Sequence, residues 1–311
     1  MNTSVDFKIP EFKICSPHAV RPTFYMLVGI PGSGKSTIAE KHLLTYDTIH
    51  LSSDAIRGEL WGDENCQKNP DKVFALMQER TIEALKKGIN VIYDATNITR
   101  KSRKAILDKI PSYVHKECVI VWAPIKDCIS RDENRERTVG VDVINKMLKR
   151  FEAPFYDEGF DEIRVDFNAS DQYSYTYYTE AIQDLCIPHD NPHHTADVYT
   201  HCMLCGEGLA NKDLPNVVKT AGYVHDIGKP YTKTFTNMKG ETTEVAHYYG
   251  HQAVGAWHSY GFGGTGDENV TLAWLISSHM APFINQKYYN SLDPLYKNWI
   301  DAIHTADKEA H

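Results

Sequence analysis

The sequence predicts two joined folds: an α/β P-loop domain built on a parallel sheet with flanking helices, and an all-α domain after it. Three observations carry this expectation. A strand-like run, Phe24-Tyr25-Met26-Leu27-Val28, leads straight into Gly29-Ile30-Pro31-Gly32-Ser33-Gly34-Lys35-Ser36-Thr37, the spacing of a phosphate-binding loop that opens a helix. Strand and helix patterns then alternate to about Asp166, and such alternation implies right-handed crossovers and a parallel sheet. Beyond Pro188 the alternation stops, and 11 of the 15 histidines fall in residues 189–311, where an even spread would place about six.

At 311 residues the chain exceeds what one typical core supports. We therefore place the first domain over residues 1–168, a linker over 169–188 and the second domain over 189–311. A hydrophobic content of 42% with 24% charged residues is that of an ordinary globular protein. No apolar run is long enough to cross a bilayer, and the polar start Met1-Asn2-Thr3-Ser4-Val5-Asp6 lacks a secretory pattern, which gives a cytoplasmic expectation. Seven scattered cysteines, an odd number, argue for a reducing compartment over a disulfide framework. The net charge of -8 gives no global sign of nucleic-acid binding, yet residues 97–150 carry 13 Lys and Arg against 7 Asp and Glu. That local excess of +6 suits either phosphates or a solvated helix face.

In order along the chain, residues 1–22 read as an irregular lead-in with three prolines. The helix after the glycine-rich loop should end near Leu44, and Thr48-Ile49-His50-Leu51 reads as a short buried strand. Asn69-Pro70-Asp71 starts a helix that Gly88 ends, with Val73, Phe74, Met77, Ile82 and Leu85 as its core stripe. Ile89 to Asp94 follows as a strand, then a basic helix, then the strand Cys118 to Trp122. The tract Tyr173-Ser174-Tyr175-Thr176-Tyr177-Tyr178 is open between strand, linker and base-stacking surface.

The loop's glycines let backbone amides converge on a phosphate, while Lys35 adds a point charge and the Ser36 hydroxyl can hold magnesium. Asp54 and Arg57 sit at the carboxyl end of the second strand, where open α/β sheets bind ligands. Asp54 suits proton acceptance from an attacking hydroxyl and Arg57 an acceptor phosphate; a helix cap and a surface charge are the alternatives. Asp94, in Asp94-Ala95-Thr96-Asn97, ends the third strand within reach of magnesium or the bound hydroxyl. Arg131 and Arg135, four apart, precede Arg137 and the loop Thr138-Val139-Gly140-Val141, together a candidate arginine-bearing lid.

These residues resemble the polynucleotide 5′-hydroxyl kinases over roughly residues 23–165. The resemblance implies ATP, or another nucleoside triphosphate, cradled by Gly32, Ser33, Gly34, Lys35, Ser36 and Thr37 with Mg2+, and lid arginines Arg131 and Arg135 at the donor phosphates. It makes Lys35, Asp54, Arg57, Asp94 and Arg135 the catalytic set, with Asp54 as general base, Arg57 on the acceptor phosphate and Asp94 positioning the acceptor. Small-metabolite and zeta-toxin-like kinases share the outline.

In the second domain, His225-Asp226 lies in Val224-His225-Asp226-Ile227-Gly228-Lys229-Pro230, with His201 upstream and Asp307 downstream. Those four suit one octahedral ion, and His251 and His279 suit a second ion and substrate phosphate. The set resembles the HD phosphohydrolase superfamily over roughly residues 189–311. That implies one or two divalent transition ions such as Mn2+, Ni2+ or Co2+, with Lys229 on phosphate and His193 and His194 near substrate. Two motifs are set aside: Cys202 and Cys205 lack a second CxxC pair, and Gly261-Phe262-Gly263-Gly264-Thr265-Gly266 lacks a following Lys-Ser or Lys-Thr.

The whole chain resembles the bacterial HD-domain polynucleotide kinase-phosphatases, in which the HD module usually comes first; here it follows. The resemblance implies RNA or DNA ends as substrates, phosphorylated at a 5′ hydroxyl and relieved of a 3′, 2′ or 2′,3′-cyclic phosphate. A small-molecule kinase joined to an HD nucleotidase is the alternative.

Overall fold

Strand β1 (Thr23–Val28) lies at the centre of a sheet whose other members are β2 (Thr48–Ser52), β3 (Asn90–Asp94), β4 (His115–Trp122) and β5 (Glu162–Phe167). The order is β2-β3-β1-β4-β5 and every pairing is parallel. The computed structural model describes residues 21–136, 138–168, 173–192, 195–264 and 266–310. Most of the expected lead-in, residues 1–20, therefore lies outside the described residues.

Alternate side chains of the central strands serve two faces, as a strand's period of two requires. Leu27, Ile92, Val119 and Val121 meet Ile38, Ala39 and Leu43 of the helix that follows the glycine-rich loop. That helix is regular only over Lys35–Ile38 and widens into a π-turn over Ala39–Leu43, ending one residue before the expected Leu44. The opposite face, with Phe24, Met26, Val91, Tyr93, Ile120 and Trp122, joins a much larger core. In the helix Pro70–Lys86, Val73, Met77 and Leu85 are buried, and Asn69 caps its start by accepting the Lys72 N–H.

The second module is helical, with long helices Val198–Ala210, Gly266–Ser278 and Pro294–Glu309 around Asn216–Val224 and His251–Ser259. One departure from the all-α expectation is a small antiparallel ribbon, Thr234–Thr236 with Thr242–His247. The turn between its strands is closed by Asn237, whose carbonyl accepts from Gly240 and whose amide reaches Glu241.

The two modules share one apolar core. Trp122 Nε1 donates to the Trp257 carbonyl at 2.8 Å, and Trp257 Nε1 returns a bond to Ala123 at 3.2 Å. Phe155 stacks on Trp274 with ring centres 4.2 Å apart. The segment read as a linker contains a helix, Tyr173–Asp184, that is wedged into this junction. Tyr177 packs edge-on against Trp122 at 5.2 Å and bonds His258 Nδ1 at 2.7 Å, so its part of the tyrosine tract packs a core and stacks on no base. Trp274→Ala should cost about 3–5 kcal/mol and shift one shared thermal transition. Two separated transitions for the wild-type chain in calorimetry would contradict the common core.

Candidate active sites

The first site lies at the carboxyl edge of the sheet, where register places functional residues side by side. Leu27 pairs with Asp94 across β1 and β3, and Ser52 pairs with Asp94 across β2 and β3. The glycine-rich loop and Asp94 therefore leave adjacent strands at the same level, with Asp54 two residues past the end of β2. Gly34 adopts φ 98, which favours glycine, and a Cβ there would stand 1.8 Å from Asn168 Nδ2 and displace that amide. Gly29 N–H bonds the Thr96 carbonyl at 3.1 Å, tying the loop to the exit of β3. Asn97, at φ 48, donates to the Leu27 carbonyl at 2.7 Å and so braces the same junction.

Ser36 Oγ donates to Asp94 Oδ2 at 3.0 Å, and His50 Nε2 lies 3.0 Å from the same oxygen. A hydroxyl beside a buried carboxylate is a hard oxygen donor set, which fits magnesium. Lys35 Nζ donates to the Ile30 carbonyl at 3.1 Å. Desolvation lowers its pKa against the opposing pull of Asp94 and, more weakly, Asp54, so both carboxylates act on one ammonium. Ser33 Oγ is buried with no hydrogen-bond partner, an orphaned donor inside the loop and consistent with a phosphate site.

Asp54 is paired with Arg57 one turn along. The cap of its helix, Ser53–Trp61, is Ser52, whose hydroxyl accepts from Asp54 and Ala55; Asp54 is free of that duty and 45% exposed at its side chain. Arg131 and Arg135 do not share a helix face as expected, because the helix Ile125–Glu133 ends between them. Arg131 donates to the Asn168 carbonyl at 2.6 Å and to the Gly32 carbonyl at 3.4 Å, holding the loop from behind. Thr37 is exposed at the start of the loop's helix. Arg135 pairs with the buried Asp132, which also accepts from Val139 and Gly140 N–H at 3.0 and 2.9 Å. Asp132 thus pins the loop that was read as a lid, while Arg137 lies outside the described residues. Asp132→Ala should raise the barrier to nucleotide-dependent turnover by about 1.5–3 kcal/mol, the worth of hydrogen bonds to a charge; steady-state kinetics with varied nucleotide checks it.

The second site lies between the helices of the C-terminal module. His201 Nε2 is 2.8 Å from Asp307 Oδ1, and His225 Nε2 is 3.3 Å from both Asp226 Oδ2 and Asp307 Oδ1. On the other side, His251 Nε2 is 3.3 Å from Asp226 Oδ1 and 3.2 Å from His279 Nε2. The ligand-type atoms of His201, His225, Asp226 and Asp307 lie within 4.8 Å of one another, and so do those of Asp226, His251 and His279. Asp226 belongs to both groups, one oxygen turned to each.

Each histidine is oriented from behind. His201, His225, His251 and His279 donate from Nδ1 to the carbonyls of Ala310, Gly222, Tyr248 and Ile276, at 2.7–2.9 Å. Such backing leaves Nε2 as a ligand atom. His225 Nε2 is buried and, although 3.3 Å from a carboxylate oxygen of both Asp226 and Asp307, forms no hydrogen bond with either, an arrangement that suits a shared cation. Burial opposes charge on Asp226, but Lys229 and His225 outweigh it and hold the carboxyl well below the usual range. Burial lowers His251 and takes His279 down to about 3, so both rings are neutral and ligand-competent.

Lys229 Nζ reaches Asp226 Oδ2 at 2.5 Å and His189 Nε2 at 3.1 Å. His189 escaped the sequence reading, which favoured His193 and His194 nearby; those two lie outside the described residues. His189 is buried, and burial together with Lys229 pushes it down to about 4. Cys202 and Cys205 are buried along the helix Val198–Ala210, and burial raises the Cys202 thiol to about 12, unlike a redox pair.

Fold and geometry thus define a P-loop α/β domain joined to a helical domain with a His/Asp centre. Residues 24–154 match the family model of an AAA domain, and residues 193–303 match that of the HD domain. Over 159 residues the chain is 27% identical to a bifunctional polynucleotide phosphatase/kinase of Schizosaccharomyces pombe, across 49% of this chain and 35% of that protein. Over 154 residues it is 29% identical to "Transcription factor bHLH140" of Arabidopsis thaliana, across 47% of this chain and 16% of that protein. The chain therefore spans about a third or less of these relatives. A chain of the solved Pnkp1/Rnl/Hen1 RNA repair complex overlaps 42% of this one and 44% of its own length, at 25% identity and a TM-score of 0.38, too low to bear on the fold.

Proposed function

We propose that the protein heals nucleic-acid ends, phosphorylating 5′ hydroxyls with ATP at the first site and removing 3′, 2′ or 2′,3′-cyclic phosphates at the second. The observation that carries this reading is the presence, in one continuous core, of a phosphate loop beside an Asp54–Arg57 pair and a buried cage centred on Asp226. In the first site Gly32, Ser33, Gly34, Lys35, Ser36 and Thr37 surround the donor phosphates, and Ser36 with Asp94 would hold Mg2+. When bound, that ion neutralises charge on the phosphates. Asp54 takes the proton of the acceptor hydroxyl as its oxygen bonds the terminal phosphorus and the bond to the leaving diphosphate breaks. Arg57 turns to the acceptor's phosphate, and Arg135 to the transferring group.

In the second site His201, His225, Asp226 and Asp307 would hold one divalent ion, and Asp226, His251 and His279 another, with Mn2+, Ni2+ or Co2+ suited to the mixed imidazole and carboxylate donors. Bound there, such ions supply an acidified water and polarise the ester. Lys229, steadied by His189, offers its cation to the phosphate oxygens. Among the described residues no helix is long and apolar enough to cross a membrane, and the six described cysteines are free; our reading places the protein in the cytoplasm.

The test is an acceptor panel with labelled ATP: 5′-hydroxyl oligonucleotides of RNA and DNA, single-stranded and duplex, against free nucleosides and sugars. Label on oligonucleotides alone supports the reading. Label only on small molecules would replace it with a metabolite kinase.

A further inference from the structure

The basic excess of residues 97–150 is only partly absorbed by the fold. Arg103 is fully buried against Glu158 at 2.7 Å, and Arg100 is paired with Asp157 at 2.7 Å. Lys101, Lys149 and Arg150 remain exposed, and no carboxylate among the described residues lies within ion-pair distance of them. All three line one groove of about 410 Å³ at the junction of the two modules. Its opposite wall carries Gln252 and Ser278, the immediate chain neighbours of His251 and His279. Contact between the walls is close: a Cβ on Gly250 would stand 2.9 Å from both Cβ and the carbonyl oxygen of Lys149. Lys149 is thus packed against the residue before His251.

We infer that this groove binds the phosphodiester backbone of a nucleic-acid strand whose terminal phosphate lies at the His/Asp centre. The sheet-bearing module thereby supplies polynucleotide recognition to the hydrolase. The inference rests on the end-healing reading. A lone terminal phosphate already has Lys229 within the centre, so three further unpaired cations outside it match a ligand with a charge at every nucleotide. Placement at the seam explains why the basic residues belong to one module and the ligands to the other.

The test compares the full chain with a Lys101→Gln, Lys149→Gln, Arg150→Gln triple variant. Two substrates are used, a 3′-phosphorylated single-stranded oligonucleotide and p-nitrophenyl phosphate, in manganese over a series of salt concentrations. For the oligonucleotide, KM should rise about tenfold or more at low salt, and the slope of log kcat/KM against log salt should fall by about 2, the loss expected for three phosphate contacts on a single strand. Turnover of p-nitrophenyl phosphate should stay unchanged, and a Lys101→Arg, Lys149→Arg, Arg150→Lys variant should restore wild-type KM. An unchanged oligonucleotide KM and salt slope would overturn the groove while leaving end healing intact, and so would equal loss on both substrates. A wild-type enzyme that cleaves free nucleotides but leaves the oligonucleotide phosphate in place would overturn both.

Discussion

Asp226→Asn is expected to remove phosphate-releasing activity by about a thousandfold or more, since an ion's electrostatic work amounts to several kcal/mol of barrier. Among the described residues Asp226 is the only one common to both ligand groups, with Oδ1 3.3 Å from His251 and Oδ2 3.3 Å from His225. Neutralising it weakens both cation positions at once, so bound metal measured by elemental analysis should fall with activity. The substitution also leaves the buried Lys229 ammonium without its carboxylate, a loss that costs about 3–5 kcal/mol where a buried pair is broken. Asp307→Asn separates the two effects. Its side chain is 27% exposed and contacts only the first group, so activity should fall with a smaller drop in melting temperature. Kinase activity of both variants should match wild type; parallel loss of the two activities would contradict separate sites.

Asp54→Asn is expected to lower 5′-kinase turnover by about 10²–10⁴, the range for a positioned general base. Asn keeps the shape and leaves the Ser52 cap in place, so the helix Ser53–Trp61 should stand. Asp54 lies off the glycine-rich loop, so nucleotide affinity measured by titration should change little while turnover collapses. An unchanged rate would assign proton acceptance elsewhere, and Asp94 would be the next residue to test.

Legibility in the sequence followed how local each feature is. The phosphate loop is contiguous, and its glycines serve conformations that spacing alone encodes. Four strands of the sheet were readable as short apolar runs bounded by turn or cap residues, whereas β5, where Glu162, Arg164 and Asp166 alternate with apolar residues, was not. The His/Asp groups draw on helices more than 100 residues apart, from His201 to Asp307, yet the Val224-to-Pro230 motif and the crowding of histidines marked where to look. What escaped depends on tertiary neighbours. Asp132 resembles any helical surface acid until the loop at Val139 and Gly140 closes on it. Asn168 donates from its side-chain amide to the Ser33 carbonyl and accepts from Arg131 at its own backbone carbonyl, and nothing near it in the sequence announces that. His189 stands among equally plausible histidines, and only its approach to Lys229 distinguishes it. Arg103 counted towards a basic patch because charge counts cannot see Glu158, 55 positions away. The helix Tyr173–Asp184 did carry a signal, since buried Tyr177 and Ala181 are four apart, but the aromatic run of its first half favours strands by propensity.

The most direct measurement gives one oligonucleotide a 5′ hydroxyl and a 3′ phosphate and scores both ends after incubation with ATP, magnesium and manganese. Wild type should add the first phosphate and remove the second, Asp54→Asn should only remove, and Asp226→Asn should only add. A wild-type chain that alters neither end, or single substitutions that silence both ends together, would contradict two independent end-healing sites.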